Sequence, residues 1–419
     1  MDKVRRWLRG VPLPRPVLIV VVGLFAVAGI MLLVRSHAAS PTLGSEPEGG
    51  TASAPAVVIN DSTASGGKAV KFGAPAPTPS PSPSPSPTPT PSPPGCQVSA
   101  TLVNSCGPWL GAFAKDYPQV AVGLKNQILY HEQRIGRQVS LVKDYKNGGS
   151  GLGADDTYFI NRPNTYLVAT WKPGSNFGSA DGGDATVNGY IDTMANSIKA
   201  VAPHKVFLSL WHEPENDVSA GTSACSAAKG NAGSPAQYRA MWSNVRTRFN
   251  NKGVTNVVWT WIPMGYSGWF CMDKDLYPGN SLVDWIMWDP YGQSDKSTWN
   301  GQIGSFYNWM TSNTDATHAF TSKAWGIAET STHLSSQASS SAYWNEAKSA
   351  LDAGTFSRIK AYIVFDSNAG KQDNRIMYWC DPATAGTVIN NQSTCGHDII
   401  DNNEQNAYKA FANDSHFVK

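Results

Sequence analysis

Two short stretches, KVFLSLWHEPEN at 205–216 and KAWGIAET at 323–330, decide the fold expected for this chain. Each is an apolar run that ends on a glutamate, Glu213 in the first and Glu329 in the second. The chain between them is long enough for about three strand-plus-helix units, so in a closed ring of parallel strands both side chains would lie on one rim. The stretches therefore predict a (β/α)8 barrel with two carboxyl groups at the rim that carries the chemistry.

Outward from these stretches, apolar runs alternate with amphipathic segments eight times after Cys106, as a parallel α/β sheet requires. Several runs are apolar almost throughout, which is typical of strands buried on both faces. The predicted strands are Trp109–Ala114, Val139–Asp144, Tyr166–Thr170, Lys205–Trp211, Asn256–Ile262, Leu282–Asp289, Ala324–Ala328 and Ile359–Asp366. A doubly wound open sheet has similar alternation, but eight units in about 300 residues favour the TIM barrel.

The clearest predicted helix follows Ser234-Pro235. Ser234 is an N-cap with Pro235 at the first helical position, and Gln237 three residues later completes a capping box. An apolar stripe follows at helical spacing: Tyr238, Met241, Trp242, Val245 and Phe249. Gly253 is expected to end this helix before the next strand.

The N-terminal region has the pattern of an export segment. Residues 1–16 carry five Lys or Arg, and the eighteen residues 17–34 carry no charge. Such an apolar run just spans a bilayer, and the basic flank is expected to stay in the cytoplasm. We therefore predict that the rest is exported, behind either a retained membrane anchor or a signal peptide cleaved near Ser36-His37-Ala38.

Residues 35–95 are predicted to be a disordered linker. Within 75–94 proline alternates almost strictly with Ser or Thr, which gives no core and an extended spacer of roughly 60 Å. We expect the spacer to hold the domain at 96–419 away from a membrane or through a cell wall.

All six cysteines lie in the exported part, which favours disulfides. Of fifteen possible connectivities, nearest neighbours are our prediction: Cys96 with Cys106, Cys225 with Cys271, and Cys380 with Cys395. No CxxC pair exists, so no zinc site is expected.

The net charge of +2 comes from the N-terminal region, because residues 96–419 hold 25 Lys or Arg against 27 Asp or Glu. A near-neutral domain has no electrostatic support for binding nucleic acid.

Six glutamates fall in the predicted domain. They are Glu132, Glu213, Glu215, Glu329, Glu346 and Glu404. Glu132 and Glu346 lie in predicted helices and Glu404 in a polar tail, where solvated charges are expected. Retaining glycosidases need two carboxyl groups in environments that push their pKa values apart. We predict that Glu213, beside Trp211, stays protonated in an apolar pocket, and that Glu329 stays ionised with the Tyr291 hydroxyl as donor.

Six blocks in order make the chain from about Gly107 to Asn368 resemble the catalytic domain of glycoside hydrolase family 26, a clan A retaining barrel. The blocks are TYLVATWKP, SLWHEPEN, VVWTWIPMG, YPGNSLVDWIMWDPYG, GIAETS and RIKAYIVFDSN. The resemblance implies that Glu213 is the general acid/base and Glu329 the nucleophile. It places His212 beside the acid/base, where it orients that group or the substrate.

The resemblance also implies that Tyr291 holds the nucleophile with Asp289 nearby, and that Trp171 contacts sugar. Asp289 as a helix cap and Trp171 as a core aromatic are the alternatives. After the acid/base, the family's mannanases usually have an Asn-Gly segment and tryptophans, whereas this chain has Pro214 to Asp217.

The sequence therefore predicts an exported, monomeric, retaining endo-β-glycanase that needs no cofactor or metal and acts on a polysaccharide. β-1,4-Mannan is the leading substrate, and mixed-linkage β-1,3-1,4-glucan or β-1,3-xylan is the near alternative. Two alternatives belong to other classes of function: a non-catalytic polysaccharide-binding protein of the cell envelope, and a wall-anchored scaffold. The acidic groups at 181–184 and 273–275 are interpreted as turns rather than calcium ligands.

Overall fold

The computed structural model describes residues 95–115, 123–292, 294, 297–332, 337–367 and 403–418, with shorter pieces at 56–60, 62–63, 68–72, 374, 376, 388–389 and 392–393. Two units are distinguished along the chain, residues 1–90 and 91–419. The second unit contains both glutamate stretches.

Eight parallel strands close into a barrel, which confirms the predicted (β/α)8 architecture. They are β1 (Trp109–Lys115), β2 (Leu141–Asn147), β3 (Tyr166–Lys172), β4 (Val206–Leu210), β5 (Val257–Trp261), β6 (Trp285–Trp288), β7 (Ala324–Ile327) and β8 (Ile359–Ser367). Strand β8 closes the ring on β1, with Ala361 opposite Trp109. Each predicted strand coincides with one of these, and boundaries differ by a few residues.

A helix follows every strand. They are α1 (Gly123–Ile135), α2 (Ala154–Ile160), α3 (Ala185–Ala200), α4 (Pro235–Asn251), α5 (Phe270–Leu276), α6 (Trp299–Asn313), α7 (Gln337–Asp352) and α8 (Asn403–Ala412). In α4 the predicted capping box is present and the whole predicted stripe is buried. Gly253 follows the end of α4 with φ +68°, as a glycine stop requires.

The segment before β1 closes the amino-terminal end of the barrel. Leu102 packs into the cluster of side chains inside the ring. The indole N–H of Trp109 donates to the Leu102 carbonyl at 2.7 Å, and that of Trp285 to the Thr101 carbonyl at 2.6 Å. The interior is therefore a packed core at this end, and the opposite rim is left for the functional site.

Two of the three predicted disulfides are present, Cys96–Cys106 and Cys225–Cys271. The first lies in the segment that closes the barrel. The second joins the loop after β4 to α5. The predicted Cys380–Cys395 pair lies outside the described residues and stays a prediction.

Part of the predicted linker is paired rather than extended. Ala56–Asn60 and Lys68–Phe72 form an antiparallel two-stranded sheet, with Ala56 opposite Phe72. The apolar residues Val57, Val58 and Ile59 give this piece a strand propensity that the surrounding Pro/Ser/Thr composition concealed. The rest of the linker and the apolar segment 17–34 lie outside the described residues. None of the helices described is long and apolar enough to cross a membrane.

The helical glutamates are not simply solvated, contrary to the prediction. Glu132 is buried, pairs with Arg162 through both carboxylate oxygens, and accepts the backbone N–H of Val139. Glu346 accepts the Trp299 N–H at 2.7 Å, at the start of α6. Glu404 lies at the start of α8, which the sequence reading took for a polar tail. Glu132 and Glu346 thus hold neighbouring elements together, which sequence periodicity does not reveal.

Candidate active site

Two residues at the end of β4 have left-handed backbone conformations. Trp211 has φ +52° and Glu213 has φ +49°, on either side of His212. Such φ values cost non-glycine residues of order 1–3 kcal/mol each and persist only where neighbours enforce them. Here the Glu213 N–H donates to the Ile262 carbonyl at 2.8 Å and the Trp211 N–H to the Trp171 carbonyl at 2.9 Å. The neighbouring strands therefore hold the bend that presents Glu213 at the rim.

Glu213 lies in a half-buried position with few hydrogen-bond donors. Its Oε2 accepts the Asn216 side-chain amide at 3.0 Å. Burial, followed by the charges of Glu329 and Glu215, raises the pKa of Glu213 to about 8. The carboxyl group is therefore protonated at neutral pH, as predicted for an acid.

Glu329 directly follows the Ala328 that ends the predicted seventh strand, and it has the opposite environment. Its Oε1 accepts the Lys143 ammonium at 2.5 Å and the Tyr145 hydroxyl, and its Oε2 accepts the Tyr291 hydroxyl at 2.6 Å. Burial alone would raise the pKa of Glu329, but Lys143, His212 and these hydrogen bonds lower it to about 2. Glu329 is thus ionised at neutral pH, and the predicted Tyr291 donor is confirmed.

His212 and Asp289 lie against Glu329. Metal-ligating atoms of these three side chains lie within 4.8 Å of one another, but the Lys143 ammonium already pairs with Glu329 and repels a cation there. Burial lowers the pKa of His212 to about 4, so its imidazole is neutral, and its Nε2 lies 3.7 Å from Glu329 Oε1. In the described part of the chain, His212 has no hydrogen bond to Glu213.

Asp289 is buried, and neither of its carboxyl oxygens has a hydrogen-bond partner among the described residues. Burial and the Glu329 charge raise its pKa well above the usual range. It lines the cavity beside Glu213 rather than capping the next helix, whose N-cap is Thr298.

The two tryptophans predicted to support the site are buried. Trp171 has no exposed surface, and its indole N–H donates to the Gly148 carbonyl at 2.9 Å. Trp171 is thus a core aromatic and not a sugar contact, which was the alternative reading. The indole N–H of Trp211 donates to Asp217 Oδ2 at 2.6 Å, and the Lys172 ammonium donates to the same oxygen. Trp211 is thus a buried aromatic two residues before Glu213, held in place by Asp217, and it does not line the cavity that Glu213 lines.

A cavity of about 630 Å³ opens beside Glu213. It extends from Asp289 and Tyr291 to the loop after β5, where Trp269 is half-buried and Tyr266 is 61% exposed. Trp288 and Trp299 are core aromatics and do not line the cavity. The cavity thus lies on the Glu213 side of the site, with three aromatic rings along it, those of Tyr266, Trp269 and Tyr291.

Sequence reasoning missed Lys143 and Tyr145. Both lie on β2, within or just past a run that was read only as a strand. Lys143 has no exposed surface, and a lysine inside an apolar run is the signal that could have been followed, since a buried ammonium needs a carboxylate partner.

Comparison with known proteins gives one family match. Residues 175–369 match the model of the family described as Glycosyl hydrolase family 26, a range that contains Glu213, Asp289, Tyr291 and Glu329 but not β2. No curated protein matches the chain.

The solved structures that match this chain include three whose descriptions name mannanases. A ruminal GH26 endo-beta-1,4-mannanase is 12% identical with a TM-score of 0.48, covering 74% of this chain and 64% of the mannanase. The GH26 domain of a Prevotella bryantii endo-beta-mannanase/endo-beta-glucanase is 14% identical, with 75% and 91% covered and a TM-score of 0.47. The catalytic domain of a Bacillus sp. JAMB-750 GH26 endo-beta-1,4-mannanase is 13% identical, with 74% and 87% covered and a TM-score of 0.48. This chain therefore spans less than two thirds of the ruminal enzyme.

Proposed function

We propose that this chain, whose residues 175–369 match the model of glycosyl hydrolase family 26, is a member of that family and a retaining endo-β-glycanase in which Glu213 is the acid/base and Glu329 the nucleophile. The observation that carries the proposal is the contrast between the two carboxyl groups. Glu213 is held protonated by burial and like charge, whereas Glu329 is held ionised by an ammonium and two phenol donors. Retaining hydrolysis needs one carboxyl group in each state.

In the first step, Glu213 gives its proton to the glycosidic oxygen as the bond from that oxygen to the anomeric carbon breaks. A Glu329 oxygen attacks the same carbon and forms a glycosyl ester, which neutralises the carboxylate. The Lys143 ammonium and the Tyr145 and Tyr291 hydroxyls already surround this group, so they hold it in position for attack.

In the second step, the Glu213 carboxylate takes a proton from water while the water oxygen attacks the anomeric carbon. The ester bond to Glu329 breaks, the carboxylate is restored, and the sugar keeps its β configuration. The buried Asp289 carboxyl has no protein partner among the described residues and is available to substrate hydroxyls.

We propose β-1,4-mannan as the substrate class on the resemblance of the six strand-end blocks. A panel of mannan, mixed-linkage β-1,3-1,4-glucan and β-1,3-xylan, with product sizing, tests the choice. Oligosaccharides released early from mannan support endo cleavage of this substrate. Release from another polymer keeps the chemistry and changes the sugar, and binding without turnover on every polymer favours the non-catalytic alternative.

The mechanism is tested with Glu213→Ala and Glu329→Ala. Removing the acid/base is expected to cost roughly 10²- to 10⁴-fold, and removing the nucleophile at least as much. With added azide, Glu213→Ala should give a β-glycosyl azide and Glu329→Ala an α-glycosyl azide. Near wild-type hydrolysis by either variant excludes the assignment.

We further propose that the domain acts outside the cytoplasm as a monomer, attached to or released from the membrane at residues 17–34. The proposal is supported by that uncharged apolar segment and by the paired cysteines of the domain. Cell fractionation followed by light scattering of the purified protein tests it. A reduced, cytoplasmic or oligomeric protein contradicts it.

A further inference from the structure

Two acidic side chains lie fully buried behind the turn that follows Glu213. Glu215 is in the turn Pro214–Asn216, and Asp273 is on α5. Their carboxyl groups lie within hydrogen-bond reach of each other. Neither carboxyl group takes part in a bond-making or proton-transfer step of the mechanism proposed above.

The donors around this pair are unequal. Glu215 Oε1 accepts the Met264 N–H at 2.9 Å, but Glu215 Oε2 and both Asp273 oxygens have no protein donor among the described residues. Two buried carboxylates facing each other without a donor would repel, so one proton must lie between them. Backbone N–H groups favour the ionised form of Glu215, which leaves the proton on Asp273 as the donor to Glu215. Burial raises the pKa of Glu215 to about 7 and that of Asp273 well above its usual range, in agreement.

The pair joins the Pro214–Asn216 turn to α5, and a disulfide bond also links α5 to the loop that follows this turn. Cys271, two residues before Asp273 on α5, is bonded to Cys225 on the loop that continues from the turn. Glu213 itself is held in a left-handed conformation immediately before this turn. A hydrogen bond from Asp273 to Glu215 therefore lies where it can maintain that conformation.

We propose that Glu215 and Asp273 are positioning residues for Glu213: they share one proton, anchor the Pro214–Asn216 turn to α5, and keep one negative charge behind the acid/base. This inference rests on the proposed function. That charge adds to the repulsion that keeps Glu213 protonated.

Other charged groups also face these carboxyls. Glu329 and Lys143 act on Glu213, the first raising and the second lowering its pKa. Asp289 and Tyr238 face Glu215. All of these remain in place when the pair is altered, so a change in the pH profile reports the pair itself.

Glu215→Gln and Asp273→Asn form a matched test. Both keep the volume and a hydrogen bond across the pair, but Glu215→Gln leaves the pair neutral whereas Asp273→Asn fixes the negative charge on Glu215. We expect the alkaline limb of kcat/KM to move to lower pH in Glu215→Gln and to keep its position in Asp273→Asn. If the pair has only a structural role, the alkaline limb moves by the same amount in the two variants or stays in place in both. Either result overturns the proposal.

Asp273→Leu tests the anchoring. This variant should lose roughly 10²-fold in kcat/KM on polysaccharide. It should lose little on an aryl oligosaccharide whose leaving group needs no proton. An equal loss on both substrates contradicts positioning of the acid. Glu132→Gln, a buried carboxyl paired with Arg162 away from the site, is the control for lost stability, with the thermal midpoint recorded for every variant. Inactivity of the unaltered protein on every polysaccharide would refute the proposed function. Failure of the positioning proposal is therefore distinguishable from failure of the proposed function.

Discussion

The ends of β4 and β7 carry the same residue type in opposite surroundings. Glu213 is half-buried on a strained backbone, with the Asn216 side-chain amide as its hydrogen-bond donor and two carboxyl groups near it. Glu329 is buried, yet three side chains, two on β2 and one just after β6, donate to its oxygens. Burial raises the pKa of both, and only Glu329 has enough donors and positive charge to reverse that effect.

The comparison shows that donors, rather than burial, separate the two roles. A barrel rim allows this division because the side chains around each carboxyl group come from different strands, so the surroundings of the two groups can differ. Substitutions that remove a donor from Glu329, and measurements that follow the protonation of Glu213, therefore test the contrast directly.

The largest effect is expected for Lys143→Met. Removing the ammonium leaves the Glu329 carboxylate buried without its cation, which should cost about 3–5 kcal/mol of unfolding free energy and move the acid limb of kcat/KM to higher pH. Urea denaturation and a pH–rate profile measure both effects. The matched control Lys252→Met breaks an exposed pair with Asp192 and should cost no more than about 1 kcal/mol. An unshifted acid limb in Lys143→Met would show that the cation does not set the state of Glu329.

The sequence was sufficient for the barrel and for both carboxyl groups, because apolar runs ending in polar residues report strands and rims directly. Tyr291 was also predicted, since it ends the strand preceding Glu329. Lys143 and Tyr145 were not, because they reach Glu329 across the ring from β2, and strand periodicity does not specify which residues meet inside the ring. The Glu215–Asp273 pair was missed for the same reason, and Asp273 was read as part of a turn although it lies in α5.

A smaller effect distinguishes the two tyrosines. Tyr291→Phe removes the donor to Glu329 Oε2, whereas Tyr145→Phe leaves Lys143 on Oε1. Hydrogen bonds to charged groups contribute about 1.5–3 kcal/mol, so Tyr291→Phe should lower kcat/KM by roughly 10- to 100-fold and Tyr145→Phe by less. Steady-state kinetics near neutral pH measure the difference. A larger loss of kcat/KM in Tyr145→Phe would mean that Glu329 Oε1 depends more on its phenol donor than Oε2 does.

The unaltered enzyme should lose activity at alkaline pH. The pKa of Glu213 is raised to about 8, so its acid form is present below that pH and disappears above it. The pKa of Glu329 is lowered to about 2, so the nucleophile stays ionised throughout the neutral range. We expect kcat/KM to fall tenfold per pH unit above about 8 and to have no carboxyl limb near the usual value of about 4.3. Because the pKa of His212 is about 4, a limb near that value is assigned with His212→Gln. A limb that persists in this variant would place Glu329 in an ordinary environment and remove the contrast.

The smallest effect is expected at the outer part of the cavity. Trp269 is half-buried on the loop after β5 and lines the cavity on the Glu213 side, where the departing part of the polysaccharide would lie. An aromatic face contributes about 0.5–1.5 kcal/mol beyond its buried area, so Trp269→Ala should raise KM by a few-fold with little change in kcat. Trp309→Ala is the control, because Trp309 is equally half-buried on α6, packs against Phe270 and does not line the cavity. If KM rises equally in both variants, packing rather than sugar contact accounts for the change, and the cavity is not where the leaving sugar binds.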